Sequence, residues 1–166
     1  MNQKIATLGI LFLLAFTCDA FSAETNNSIS TNEINRQVWD VIVETVSNAD
    51  IVKMGATYAT DAVLVSPAGT NPIKNVLQRW GQDMQKAKKN GSKATVAFRF
   101  SHRQDNAETA FESGLFQYTV IDKAGIEKSG YYPFEQLLIK QDGSWRILME
   151  HQLPEASKQV WDALPY

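Results

Sequence analysis

Residues Lys93 to Gln152, KATVAFRFSHRQDNAETAFESGLFQYTVIDKAGIEKSGYYPFEQLLIKQDGSWRILMEHQ, decide the fold: four runs of strand-forming residues are separated by three turn signals. Gln104-Asp105-Asn106-Ala107, Lys123-Ala124-Gly125-Ile126 and Gln141-Asp142-Gly143-Ser144 each set turn formers between alternating runs, and Asp-Gly is among the strongest hairpin signals. Read as two-residue loops, these turns place His102 opposite Thr109, Phe100 opposite Phe111, Phe98 opposite Ser113 and Val96 opposite Leu115. The rows continue from Phe111 to Leu138 and Ile147, from Ser113 to Gln136 and Met149, from Leu115 to Phe134 and His151, and from Gln117 to Tyr132. Side chains alternate with a period of two, so this register gathers all of them on one face. The other face then carries Arg99 beside Glu112, Arg103 beside Glu108, Glu135 beside Glu150 and Tyr118 beside Tyr131. Two of those pairs have complementary charge and support the register; Glu135 against Glu150 does not, and a bulge near Pro133 would shift it.

An apolar sheet face needs a cover, and the first half of the chain supplies one. Ser30 and Glu33 have capping-box spacing, after which Ile34, Val38, Val41, Ile42 and Thr45 recur at helical intervals. Asp50 caps a short second helix through Tyr58, and Ala62 to Ser66 reads as a short strand closed by Pro67-Ala68-Gly69. Asn71 and Pro72 open a third helix whose apolar stripe is Ile73, Val76, Leu77, Trp80, Met84 and Ala87, stopped by Asn90-Gly91. Three helices followed by a meander predict an α+β domain, with the helices packed on one face of a curved, mainly antiparallel sheet.

Composition narrows the classes. Lys4 precedes an apolar run from Ile5 to Phe16, with small-residue cleavage options at Ala20 and Ala23, which is the layout of a secretory signal peptide too short to span a membrane. The expected organisation is a leader over 1–23, a linker over 24–31, the domain over 32–153, and a tail or short helix over 154–166, with an exported product, periplasmic or secreted. An uncleaved anchor or a lipid-modified Cys18 is the alternative. Cys18 is the only cysteine of the 166 residues, so cleavage removes thiolate metal sites, disulfides and cysteine nucleophiles from the mature protein. A net charge of -2 argues against an electrostatic nucleic-acid or anionic-membrane partner.

The element order, together with Ala59 through Gly69, Gly114-Leu115-Phe116-Gln117-Tyr118, and Gly130 through Asp142-Gly143-Ser144-Trp145-Arg146-Ile147, resembles the SnoaL-like branch of the nuclear transport factor 2-like superfamily. The resemblance covers residues 32–153. It implies a cone-shaped cavity between helices and sheet, and frequent dimerisation through the outer sheet face. Pro72 departs from the glycine usual at the start of the third helix. The superfamily spans ketosteroid isomerases, polyketide cyclases, dehydratases and epoxide hydrolases as well as members without known activity, so it implies a shape and leaves the chemistry open.

Within the derived register the inner sheet positions hold no Asp or Glu, which leaves a carboxylate-base mechanism only Asp61 or Asp40, both readable as capping or solvent residues. His102 and His151 would stand roughly 25 Å apart, too far to share one substrate atom or one metal ion. His151, Tyr132, Gln136 and Gln117 converge instead at one end of the face. This grouping predicts a site for a small apolar or carbonyl-containing ligand with Ser113, Gln117, Tyr132, Phe134, Gln136 and His151 on the sheet, and Tyr58 and Trp80 above it. Two readings stand, neither calling for a cofactor or metal: an exported binding module, or a lyase, isomerase or hydrolase with His151 as general base and Tyr132 as hydrogen-bond donor. A filled scaffold is a third. Phe116, Tyr118, Tyr131, Pro133, Leu137, Ile139 and Leu148 form the expected outer patch, which predicts a homodimer.

Overall fold

The computed structural model describes residues 29–165; the predicted leader, Cys18 and most of the linker lie outside them. Chain order is α1 (Ile29–Ile34), a π turn (Asn35–Trp39), α2 (Asp40–Asn48), α3 (Ile51–Gly55), β1 (Tyr58–Ser66), β2 (Gly69–Pro72) and α4 (Ile73–Lys89). Then follow β3 (Lys93–Asp105), β4 (Thr109–Ile121), β5 (Glu127–Gln141), β6 (Ser144–Gln152) and α5 (Lys158–Asp162). The six strands form one sheet in the order β2-β1-β6-β5-β4-β3, curved and unclosed. Only β1 against β6 is parallel among these pairs; the rest are antiparallel. This is the predicted α+β class, with helices over one sheet face.

The first helix runs through the π turn without leaving helical dihedrals. Its buried stripe is Ile34, Val38, Trp39, Ile42 and Val46. Trp39 packs at 4.6 to 5.4 Å between ring centroids against Phe98, Phe100 and Phe134, the tilted and edge-on geometry that aromatic pairs favour. Ser30 lies inside α1, not at its cap, and Glu33 reaches across to the sheet instead, accepting from Lys140 Nζ at 2.6 Å and Trp145 Nε1 at 3.1 Å. Those bonds hold the Glu33 carboxyl below its usual range. Asp50 caps α3 as expected, accepting from the Lys53 amide at 3.0 Å. The second helix ends at Gly55, and Tyr58 already begins β1. Gly69 to Pro72, read as a loop and cap, pairs with Val63 to Ser66 as β2.

The sheet register differs from the expected one at four places. The β3–β4 turn lies two residues later than expected, with Asp105 paired with Ala110 and Asn106 N donating to Thr109 O at 2.9 Å, so His102 is not opposite Thr109; this slides the hairpin by four positions and by itself keeps the faces. The other three are each worth one residue. The β4–β5 connection pairs Ile121 with Glu127, and Asp122 N donates to Ile126 O at 3.1 Å. That is a three-residue loop with Gly125 at φ +81°, not a two-residue one. Asp122 fixes it by accepting from the amides of Ala124 and Ile126 at 2.8 and 3.0 Å. Ser101 is an extra residue in β3, since Phe100 pairs with Gly114 and His102 with Ser113. Leu148 is an extra residue in β6, since Leu138 pairs with Ile147 but Leu137 with Met149. The Asp142-Gly143 turn is the predicted two-residue loop, both residues having positive φ.

A one-residue shift exchanges the faces of a strand, and three stretches are exchanged here: β4, β6 beyond Leu148, and β3 beyond Ser101, where Arg103 turns inward beside Glu112 and His102 outward. The helix-facing row of β4 is Ala110, Glu112, Gly114, Phe116 and Tyr118, so Phe111, Ser113, Leu115 and Gln117 belong to the outer face. Beyond Leu148, Glu150 and Gln152 point inward, while Met149 and His151 point outward. Phe116 and Tyr118, expected in the outer patch, pack against the main core, as do Ile139 and Leu148. Val96, Phe98, Phe100, Tyr132, Phe134, Gln136, Leu138 and Ile147 keep their expected side.

The C-terminal segment folds back on the outer face. Ala156 bridges to Tyr131, and Trp161 of α5, 6 % exposed, packs on Leu115 and Tyr131. Arg99 lies 4.5 Å from the Trp161 ring centroid and donates to the carbonyls of Trp161 and Leu164 at 2.8 and 3.2 Å. A cation at the last carbonyls of a short helix satisfies acceptors that the helix leaves open. Among the described residues, no helix is long and apolar enough to cross a membrane.

Candidate functional site

A cavity of about 960 Å³ opens between α2, α4 and the inner sheet face. Its roof is Ile42 and Val46 from α2 with Trp80 and Met84 from α4. Phe98, Phe116, Tyr118 and Tyr132 form the sheet wall, and Phe134 with Trp39 and Phe100 closes the end as filled aromatic core. Tyr132 lies back along its own strand over Gly130, where an added Cβ would come within 2.6 Å of its hydroxyl. Glycine at 130 therefore clears the space that the Tyr132 ring occupies.

The polar centre of the wall is Glu150. It is 5 % exposed, and its two oxygens accept from Tyr58 Oη at 2.6 Å and from Gln152 Nε2 at 2.6 Å. Burial pushes the Glu150 carboxyl above the usual glutamate range, and the bonds from Tyr58 and Gln152 pull the other way. Burial also pushes the Tyr58 phenol well up, helped by the negative carboxylate beside it. Gln136 stands beside Glu150 in register, 3 % exposed, and its Oε1 has no hydrogen-bond partner among the described residues. A buried acceptor left unmatched costs free energy until a donor reaches it, and the Gln136 side chain borders the cavity. Tyr118, nearer the mouth, has its phenol pushed up by burial and then by Asp83.

A second inner carboxylate serves packing. Glu112, 1 % exposed, accepts from Trp39 Nε1 at 2.7 Å and Arg103 Nε at 2.8 Å, and Arg103 continues to Asn35 Oδ1 at 2.7 Å. Burial pushes its carboxyl up, with Arg103 opposing. This network ties the π turn to β3 and β4, and Glu112 does not line the cavity.

Of the residues singled out in the sequence, Tyr58, Trp80, Tyr132 and Gln136 line the cavity together. Phe134, 1 % exposed, is core. Ser113 and Gln117 lie on the outer face, where Ser113 meets Ser101 at 3.1 Å and Gln117 donates to Ser129 at 3.2 Å. His151 is also outside, its Nδ1 3.0 Å from Glu135 Oε2. The general-base position assigned to it is thus corrected: the bulge at Leu148 moves the imidazole away and brings Glu150 in. His102 is exposed on β3. Among the described residues, no three His, Cys, Asp or Glu side chains cluster as metal ligands would.

No protein-family profile matches the chain, and no curated protein matches it. Solved structures do. An NTF-2-like protein of unknown function from Shewanella oneidensis superimposes with a TM-score of 0.61 at 18% identity, over 76% of this chain and 100% of that one. A nuclear transport factor 2-like superfamily protein from Salmonella enterica gives 0.61 at 16%, over 78% and 95%. A ketosteroid isomerase-like protein from Erwinia carotovora atroseptica gives 0.53 at 23%, over 76% and 98%. The fold is that of the nuclear transport factor 2-like superfamily.

Proposed function

We propose that this nuclear transport factor 2-like domain binds a small, mainly apolar molecule in the cavity, with one polar group of that molecule held at Glu150, Tyr58 and Gln136. The observation that carries the reading is the pairing of a large apolar space with a small buried polar cluster, one member of which, Gln136 Oε1, lacks a partner. A mostly apolar cavity with a few convergent polar groups is the general form of a small-molecule site. The leader-like stretch Lys4 to Phe16 supports export to the periplasm or outside the cell. The part of the outer face that α5 leaves open, including Phe111 at 37 % exposure, is the surface through which two copies would pair.

A second reading has its own support. The 2.6 Å contact between Tyr58 and Glu150 couples a phenol to a carboxyl of raised pKa inside an apolar space, the arrangement a cofactor-independent isomerase, lyase or hydrolase uses to move a proton. Glu150 would then take the role that the sequence alone gave to His151.

The test is NMR titration with a panel of hydrophobic alcohols, amines and ketones. Saturable shifts at Tyr58, Trp80, Tyr132 and Gln136, with none at His151, support the cavity reading; a panel that moves none of the four removes it. Deuterium exchange at the α-carbon of a bound ketone, lost in E150Q, separates catalysis from binding.

A further inference from the structure

The cavity wall also specifies the head group, and this step rests on the binding reading above. The buried end holds acceptors with unused capacity. Glu150 takes one hydrogen bond on each oxygen and keeps further lone pairs, and Gln136 Oε1 takes none. Of the donors there, Tyr58 gives its proton to Glu150 and Gln152 gives one of its two amide protons to the same carboxyl, while the Gln136 amide nitrogen keeps two. Tyr118 and Tyr132, which also line the wall, both donate and accept, so their hydroxyls select neither way.

Charge points in the same direction. Among the described residues, the only charged group deep in the wall is Glu150, faced by Tyr58 from β1. Asp83 and Lys88 of α4 and Lys93 of β3 are exposed at the rim. Arg103 is engaged with Glu112, and Arg99 lies under α5 on the far side of the sheet. An anionic ligand would enter a space without a deep counter-charge and meet a carboxylate. Meanwhile the rings of Tyr58, Trp80, Phe98, Phe116, Tyr118 and Tyr132 line the space, and ring faces attract cations.

We propose that the cavity selects an amine: a protonated nitrogen on an apolar skeleton, seated between the Glu150 carboxylate and Gln136 Oε1 with the skeleton among the aromatic rings. Pairing answers two costs at once. The ammonium loses water on entry but gains a carboxylate, and the carboxylate gains a counter-charge beside the neutral donors it already has. Alcohols of the same shape satisfy Gln136 without the charge term, and carboxylates bring a charge of the same sign as Glu150.

The experiment compares three compounds that differ in head group alone, adamantan-1-amine, adamantan-1-ol and adamantane-1-carboxylate, by calorimetric titration of the full chain near neutral pH. A second series on a phenethyl skeleton covers a misfit of the first. The amine is expected to bind roughly ten- to a hundred-fold more tightly than the alcohol, with the carboxylate weakest, as charge-assisted hydrogen bonds imply. E150Q is expected to erase the amine's advantage over the alcohol. An alcohol that equals the amine, or a carboxylate that exceeds it, overturns the amine assignment and leaves a ligand-binding cavity standing. Failure of all members of both series overturns the cavity reading and the amine with it. The ranking on the unmutated protein decides the matter even if E150Q does not fold.

Discussion

Replacing Glu150 by glutamine removes a buried charge while keeping the side chain's outline. Burial outweighs the hydrogen bonds from Tyr58 and Gln152, so the folded protein holds the Glu150 proton more tightly than the unfolded chain does. The sign follows from linkage. The stabilisation from that proton is complete below the unfolded pKa of about 4.3 and is lost as pH rises through the higher folded value. Above that value, each unit between the two pKa values costs the wild-type protein about 1.4 kcal/mol that the glutamine variant does not bear. A domain of this size shifts its midpoint by roughly 3–5 °C per kcal/mol. The difference in Tm, E150Q minus wild type, is therefore expected to grow as pH rises above the unfolded value until the folded carboxyl is fully ionised, by roughly 4–7 °C per unit of separation. Circular dichroism melts of both proteins at half-unit steps measure it. A difference that stays flat, or falls with rising pH, would refute a buried and destabilised carboxyl.

Other expectations test the packing that positions this group. Gly114→Ala puts a Cβ into the Arg99 carbonyl and 2.9 Å from Phe100 Cα, both backbone beside the Ser101 bulge, and is expected to cost about 3 kcal/mol or more in urea unfolding. Glu112→Leu leaves the Trp39 indole and Arg103 without their shared acceptor and is expected to cost about 3–5 kcal/mol, with most of the loss recovered by adding Arg103→Met. Trp161→Ala strips α5 of its anchor over Leu115 and Tyr131; a loss of about 3 kcal/mol and increased binding of a hydrophobic dye are expected in denaturation and fluorescence assays. Gly130→Ala crowds the Tyr132 ring and is expected to weaken ligand binding at least ten-fold while moving Tm by only a few degrees, read by calorimetry and melting together.

Much of the architecture was legible because it rests on patterns repeated over many residues: the helical stripes from Ile34 and from Ile73, four alternating strands, and the Asp142-Gly143 turn. Parity was less legible because it rests on single residues. An odd loop at Asp122 to Ile126 and bulges at Ser101 and Leu148 each insert one position, and one position is enough to exchange inside for outside. Signals were present. Asp122 three residues before Gly125 fits a capped three-residue loop, and Ile147-Leu148-Met149 breaks strict alternation where the β6 bulge falls. The clash of Glu135 with Glu150 was a true sign of wrong register, and the bulge that relieves it lies in β6, not near Pro133. With that bulge, Glu135 faces His151 and Glu150 turns to Tyr58. Tyr132 and Gln136 were found because their parity survived, and Trp80 because the α4 stripe holds; Tyr58 lines the cavity from the start of β1, not from a helix. Glu150 and Gln152 were missed because their parity did not survive.

The central claim is that Glu150 occupies the helix-facing side of β6 and His151 the opposite one. Nuclear Overhauser contacts in a sample labelled at Tyr, Glu and His decide this directly. Cross-peaks between the Tyr58 ring and the Glu150 γ-methylene, with the His151 ring seeing Glu135, are the predicted result. Cross-peaks from the His151 ring to Tyr58, Trp80 or Tyr132, with none from Glu150 to Tyr58, would contradict it.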